Sequence, residues 1–143
     1  MTIIITGTSA GIGFALAEYF GKKGHQVYGL SRKNTESDFF KTIPTDITNH
    51  SQVENAISEI LKIEKRIDLL INNAGMGMVG AVEDSKKEEI LKLFNLNLVG
   101  AVQMMSGVLP KMREQKSGKI INVSSIGSEM GLPFRGFYSA SKS

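Results

Sequence analysis

The stretch Thr2–Gly13, TIIITGTSAGIG, decides the fold. Its first five residues, TIIIT, are all β-branched, and three are isoleucine. An apolar run of this kind, without alternation, predicts a strand buried on both faces. Gly7, Gly11 and Gly13 follow, with the spacing G-x-x-x-G-x-G. The next segment, IGFALAEYFGKKG, predicts a helix with Ile12, Leu16 and Phe20 on one stripe. Lys22 and Lys23 fall in its last turn, and Gly24 is suited to end it. A glycine turn between strand and helix lets backbone come close to a pyrophosphate. The helix start then offers unpaired N–H groups and partial positive charge. The same glycines would serve a plain strand-to-helix turn, but this placement favours nucleotide binding.

Working outward, QVYGLS reads as a second strand and TIPTD as a weaker third, joined by a poorly patterned connection over 31–41. Ser51 and Glu54 form a capping box that predicts a helix to about Lys65. IDLLIN is a fourth strand, NNAGMGMVGAVEDS a glycine-rich loop, and Lys86 to about Met112 a long helix. Gly118 precedes a fifth strand, KIINVS, with the composition of a buried central strand, and SIGSEMGLPFR leads into the last segment. Strands alternating with helices predict an α/β fold: a doubly wound parallel sheet with helices on both faces. No linker or repeat divides residues 1–143, so one domain is expected.

Composition narrows the function. Apolar residues make up 41% of the chain and charged residues 22%, with a formal net charge of +3. The basic residues are scattered, which argues against nucleic acid or membrane as partner while leaving a small anion compatible. The chain has no cysteine, which excludes disulfides and thiolate chemistry, and its two histidines give no basis for a metal site. The sequence enters TIIITG directly after Met1, leaving no room for a leader, and no apolar run is read as a membrane span. The expected location is the cytoplasm.

Near the other end, Tyr138 and Lys142 stand four positions apart in GFYSASKS. On a helix they share one face, with Cβ atoms roughly 5–6 Å apart. An ammonium beside a phenol favours loss of the phenolic proton, the property a general base needs. Taken alone, the pair equally suits a solvated helix surface.

Together these motifs resemble the short-chain dehydrogenase/reductase family. TGTSAGIG is similar to its T-G-x-x-x-G-x-G turn, and NNAG at Asn72–Gly75 to the motif after its fourth strand. NLVG at Asn97–Gly100 resembles the N-x-x-G of its long helix. Ser125 stands thirteen positions before Tyr138, and YSASK matches Y-x-x-x-K. The family order is kept across essentially the whole chain. The resemblance implies a Rossmann-like domain that interconverts an alcohol and a carbonyl with a nicotinamide cofactor. It implies Tyr138 as general acid/base, Ser125 on the substrate oxygen, and Asn97 in a proton relay through a water near Lys142. Ser124 is the adjacent rival to Ser125, and Asn97 equally suits a buried helix amide satisfying backbone.

The resemblance also implies that Gly7, Thr8, Ser9, Gly11, Ile12 and Gly13 hold the dinucleotide, with Asn73, Ala74 and Gly75 placing backbone against it. Tyr138 and Lys142 would reach the nicotinamide half, Lys142 through the ribose hydroxyls. Asp46 would meet the adenine beside Ile47, although an Asx turn explains Asp46 nearly as well. At the end of the second strand, Ser31 occupies the place of the acid that an NAD enzyme offers the 2′-hydroxyl, and Arg32 and Lys33 follow. A hydroxyl and a guanidinium suit a 2′-phosphate, so Ser31 and Arg32 favour NADP(H) over NAD(H). Ala10 departs from the basic residue that many NADP-preferring relatives carry in the turn.

Family domains continue through further strands after the Tyr–Lys helix, so the resemblance implies a chain lacking the family's C-terminal strands and cut from a homo-oligomeric parent, which would leave KIINVS as an unpaired edge of the sheet. The alternative expectation is a catalytically inactive dinucleotide-binding fragment. The segment GSEMGLPFRGFYSASK resembles that of hydroxysteroid and retinol dehydrogenases. Met130, Leu132, Phe134 and Phe137 there suggest an apolar wall and a lipophilic alcohol or ketone, although packing of the loop onto the core explains Leu132 and Phe137 equally.

Overall fold

The structure, a computed structural model, describes residues 1–143. The β-branched runs form parallel strands: β1 (Thr2–Thr6), β2 (Gln26–Ser31), β3 (Lys41–Pro44), β4 (Leu69–Asn72) and β5 (Lys119–Asn122). They hydrogen-bond in the order β3-β2-β1-β4-β5. Every residue of β1 is buried, because it lies between β2 and β4 with helices on both faces. Ile4 pairs with Tyr28 and Leu70. This row packs with Val53, Ile57 and Ile60 of α2 (His50–Glu64) and Met104 and Val108 of α4 (Ala101–Glu114). Ile3 and Ile5 point the other way, to Ala17 of α1 (Gly11–Lys22) and Phe40. Each wholly buried isoleucine contributes about 1.5–3 kcal/mol, so β1 is the anchor of both layers.

Tyr28 closes the outer end of this core. Its hydroxyl donates to Glu64 Oε1 at 2.7 Å, tying β2 to the end of α2. Burial, then the Glu64 carboxylate beside it, push this phenol above the ordinary tyrosine range.

Several local expectations change. Helix α2 is capped by Asn49, whose side chain accepts from Gln52 N at 3.1 Å, so Ser51 lies inside the helix. Ile12 is exposed at the start of α1, and the buried stripe runs through Gly13 and Ala17, with Phe14, Leu16 and Phe20 packed beside it. Strand β5 lies at the edge of the sheet, as expected of a chain without the strands that would follow, despite its central-strand composition. Ile121 pairs with Ile71, yet Ile121 is 48% exposed and Ile71 only 3%. A strand bonded on one side, with no helix over that face, cannot bury its apolar residues.

The long helix is continuous from α3 (Lys87–Phe94) through a π-helical stretch, Asn95–Gly100, into α4. Lys87–Glu114 is long and apolar enough to cross a membrane by length and composition alone. Met104, Val108 and Met112 are nevertheless buried against the sheet and α2, as in a core helix. A single 3₁₀ turn (Ile126–Ser128) and α5 (Gly136–Lys142) complete the chain.

Candidate functional site

The carboxyl ends of the strands open onto a cleft of about 300 Å³. It lies where the strand order reverses between β1 and β4, the place where open α/β sheets receive ligands. Gly7, Ser9, Ser31, Arg32, Asp46, Ile47, Asn73, Ala74 and Gly75 line it, all of them predicted.

The floor is a junction of two loops. Thr6 Oγ1 accepts the N–H groups of Asn73 and Ala74, both at 3.0 Å. The Asn73 amide donates back to the carbonyls of Thr6 at 3.0 Å and Gly7 at 3.3 Å. This close seam is why small residues recur. Gly7 has φ +75°, and a Cβ there would stand 2.8 Å from Ala74 Cα, so another residue would meet strain and collision together. Gly11, at φ +61°, faces open space instead. Neither Gly11 nor Ile12 lines the cleft; both are exposed at the start of α1, whose first turn carries no acid to repel a phosphate. Gly13 is buried against the Gly7 carbonyl. The Thr8 side chain also lies outside the cleft: it is wholly buried against Gly29, and Oγ1 has no hydrogen-bond partner.

One wall of the cleft is set by β2 and the turn after β3. Ser31 is buried and its hydroxyl donates to the Lys33 carbonyl at 2.7 Å, shaping the turn that exposes Arg32. Asp46 Oδ1 accepts from Thr48 N at 2.9 Å and Thr48 Oγ1 at 2.7 Å. The carboxylate is therefore both an Asx turn and part of the cleft wall. The Thr48 N–H, then the Thr48 hydroxyl, hold it below the usual range; partial burial opposes them and Arg32 assists. Leu30, Thr45 and Leu96 also line the cleft and were not predicted. Leu30 and Thr45 adjoin predicted residues at strand ends, a usable signal. Leu96 reaches the cleft from the π-helical stretch, and no local pattern marks it.

A second group of residues gathers around Gly75. Asn97 is buried: its Oδ1 accepts Met76 N–H at 2.8 Å, and its Nδ2 donates to the Met76 carbonyl and Ser141 Oγ, both at 2.9 Å. Both amide hydrogens are thus engaged, so the side chain locks the loop after β4 to α5. Lys142 Nζ donates to the Val123 carbonyl at 2.9 Å. A Cβ on Gly75 would sit 3.2 Å from both Asn97 Oδ1 and Lys142 Nζ. The π-helical widening falls on this stretch, and such turns concentrate at functional sites.

Tyr138 is half-buried one turn before Lys142 on α5, with the Arg135 guanidinium 5.8 Å from its ring centroid. Ser125 Oγ accepts from Gly127 N at 3.1 Å, which leaves its own proton free. Ser124 instead spends its hydroxyl on the Lys142 carbonyl at 2.6 Å. A Cβ on Gly127 would lie 3.5 Å from Ser125 Oγ and 3.3 Å from Ser139 Oγ, placing Ser125 near the residue after Tyr138.

The family model for short chain dehydrogenase matches residues 1–143. The chain belongs to the short-chain dehydrogenase family. A relative from Bacteroides thetaiotaomicron, a 3-ketodihydrosphingosine reductase, is 48% identical over 141 residues, covering 98% of this chain and 52% of that protein. The ligand-free aldohexose dehydrogenase of Thermoplasma acidophilum superposes with a TM-score of 0.94 at 32% identity, over 99% of this chain and 55% of that one. The structure of ElxO with NADP bound gives a TM-score of 0.93 at 30% identity, over 99% of this chain and 62% of that one. This short-chain dehydrogenase sequence thus spans about half the length of these relatives, and its sheet has the Rossmann-like order of the family.

Proposed function

We propose that the protein interconverts an alcohol and a carbonyl by hydride transfer, using NADP(H) in preference to NAD(H), with Tyr138 as general acid/base. The observation that carries this reading is the convergence of Lys142 and Asn97 on Gly75, at the inner end of the cleft and one helical turn from Tyr138.

The residues present fit a dinucleotide. The Gly7–Gly13 turn and the acid-free start of α1 suit phosphates, and Asn73–Gly75 offer backbone where side chains would collide. A bound nicotinamide dinucleotide supplies the hydride chemistry. Lys142 has two N–H donors left after Val123, enough for ribose hydroxyls. The Tyr138 hydroxyl gives its proton to the substrate oxygen in reduction and takes it back in oxidation. The free proton of Ser125 donates to the same oxygen and holds it in place.

Preference for NADP(H) is supported by Ser31 in place of an acid, by exposed Arg32 on the cleft wall, and by the NADP-bound relative. Exposed Val79, Val82, Met130 and Phe134 on the two loops beside α5 favour a lipophilic substrate, as does the 3-ketodihydrosphingosine reductase relative. Exposed Leu98, Val99 and Val102 on the long helix suit pairing with a second copy.

The test is a nicotinamide-fluorescence titration with NADPH and NADH, followed by turnover of long-chain ketones by the parent sequence and by Tyr138→Phe. The expected result is tighter NADPH binding, and loss of turnover in Tyr138→Phe with binding kept. A folded chain that binds neither cofactor would count against the reading. A second reading, dinucleotide binding without turnover, is favoured by the open edge of β5 beside the reaction end; NADPH binding with no turnover of any ketone would select it.

A further inference from the structure

We propose that Arg135 recognises an anionic group on the substrate, selecting ketones that carry a carboxylate or similar oxyanion a few bonds from the carbonyl. The inference rests on Tyr138 being the reacting phenol. Arg135 is half-buried, and its guanidinium lies over the Tyr138 ring, 5.8 Å from the centroid. The chain's four ion pairs all lie elsewhere. Glu129 on the same loop and Asp84 and Glu89 across the neighbouring hollow do not pair with it. Arg135 is therefore a cation with its five N–H donors uncommitted beside the proposed reaction centre.

Its position is also built. Phe134 has φ +59°, a left-handed conformation that a bulky aromatic residue rarely adopts. The conformation is held from outside, because the Phe134 carbonyl accepts Gly80 N–H at 2.8 Å across the two loops. A strained residue fixed by a neighbouring loop is a mark of a functional site, and here it sets the direction of the chain entering Arg135. The exposed side chains of Val79, Val82, Met130 and Phe134 on these loops are apolar. A planar guanidinium can lie over an aromatic ring and still bind a carboxylate through two parallel N–H bonds, which an ammonium cannot do. The site thus reads an amphipathic ketone, with the apolar loops taking its hydrocarbon and Arg135 its charge.

The test is calorimetric binding of 4-oxodecanoate and its methyl ester to the chain saturated with NADP⁺, with Arg135→Gln and Arg135→Lys alongside. The two probes share their chain and ketone and differ at one end, where the ester replaces the charged carboxylate with a neutral group bearing one more methyl. The expected result is at least tenfold tighter binding of the acid by the parent sequence, lost in Arg135→Gln, with ester binding unchanged. Equal binding of acid and ester by the parent sequence would overturn the proposal, as would binding of neither probe. A preference that survives in Arg135→Gln would also overturn it, and an equal loss for both probes in that variant would show a merely structural role. If Arg135→Gln does not fold, the parent sequence decides by its acid-to-ester preference and by the loss of that preference in Arg135→Lys. Oxidation of NADPH by the ester, followed separately, reports on the proposed oxidoreductase activity without involving Arg135.

Discussion

Asn97 and Lys142 meet across Gly75: Oδ1 of one and Nζ of the other stand 3.2 Å from the position a Cβ on Gly75 would take. The two are not equally free to move. Asn97 is held by Met76 on both its backbone groups and by Ser141, whereas Lys142 Nζ ends a flexible chain with one bond, to Val123.

Gly75→Ala should therefore displace Lys142 and leave Asn97 in place. The expected outcome is a loss of about tenfold or more in turnover, equivalent to about 1.4 kcal/mol, with unfolding free energy nearly unchanged. Steady-state kinetics beside urea unfolding would show it, and a large loss of stability would mean that Asn97 had moved instead.

Asn97→Ala removes three hydrogen bonds at a buried site and leaves Met76 N–H and carbonyl unpaired. It should lower the unfolding free energy by about 2–3 kcal/mol. Urea denaturation measures this, and a change below about 0.5 kcal/mol would show that water replaces the amide.

Cofactor choice should turn on β2. Ser31→Asp places a carboxylate on the cleft wall beside Arg32, where it repels a 2′-phosphate and can accept from a 2′-hydroxyl. NADPH affinity should fall by about tenfold relative to NADH. Arg32→Ala should weaken NADPH alone and flatten its salt dependence. Fluorescence titrations at two salt concentrations read both effects.

Acid stability should depend on Asp68. Partial burial on its own would raise this carboxyl, but the Arg66 side chain and the Thr2 N–H, which donates at 2.7 Å, bring it below the usual range. A lowered folded-state value means that its stabilisation is complete above the unfolded value, about 3.9. It is then lost as pH falls through the lower folded value. Asp68→Asn should thus be less stable at pH 7, and the gap should close toward pH 2–3. Urea unfolding across that range checks it, and a gap independent of pH would refute the linkage.

Much of the site was legible because its signals are local. The glycines of the turn and of NNAG mark where backbones approach, and the four-residue spacing of Tyr138 and Lys142 survives in any helix. Residues whose role depends on a distant neighbour were not legible in this way. Spacing to Tyr138 singled out Ser125, but that Ser124 gives its hydroxyl to the Lys142 carbonyl, eighteen residues on, shows only in the folded chain. Thr8 turns inward because Gly29, on the neighbouring strand, leaves room for it. Asn49 rather than Ser51 caps α2, a choice made by where the β3 turn delivers the chain.

By itself the sequence determined the strands, their order of appearance and the chemistry available at their ends, since β-branched runs, glycine turns and helical spacing act over a few residues. Tertiary structure alone decided that Asn97 spends its amide on Met76 and Ser141, and that Arg135 sits over Tyr138. Each of these depends on contacts between segments far apart in the chain, whose burial and hydrogen bonding exist only once the sheet has assembled.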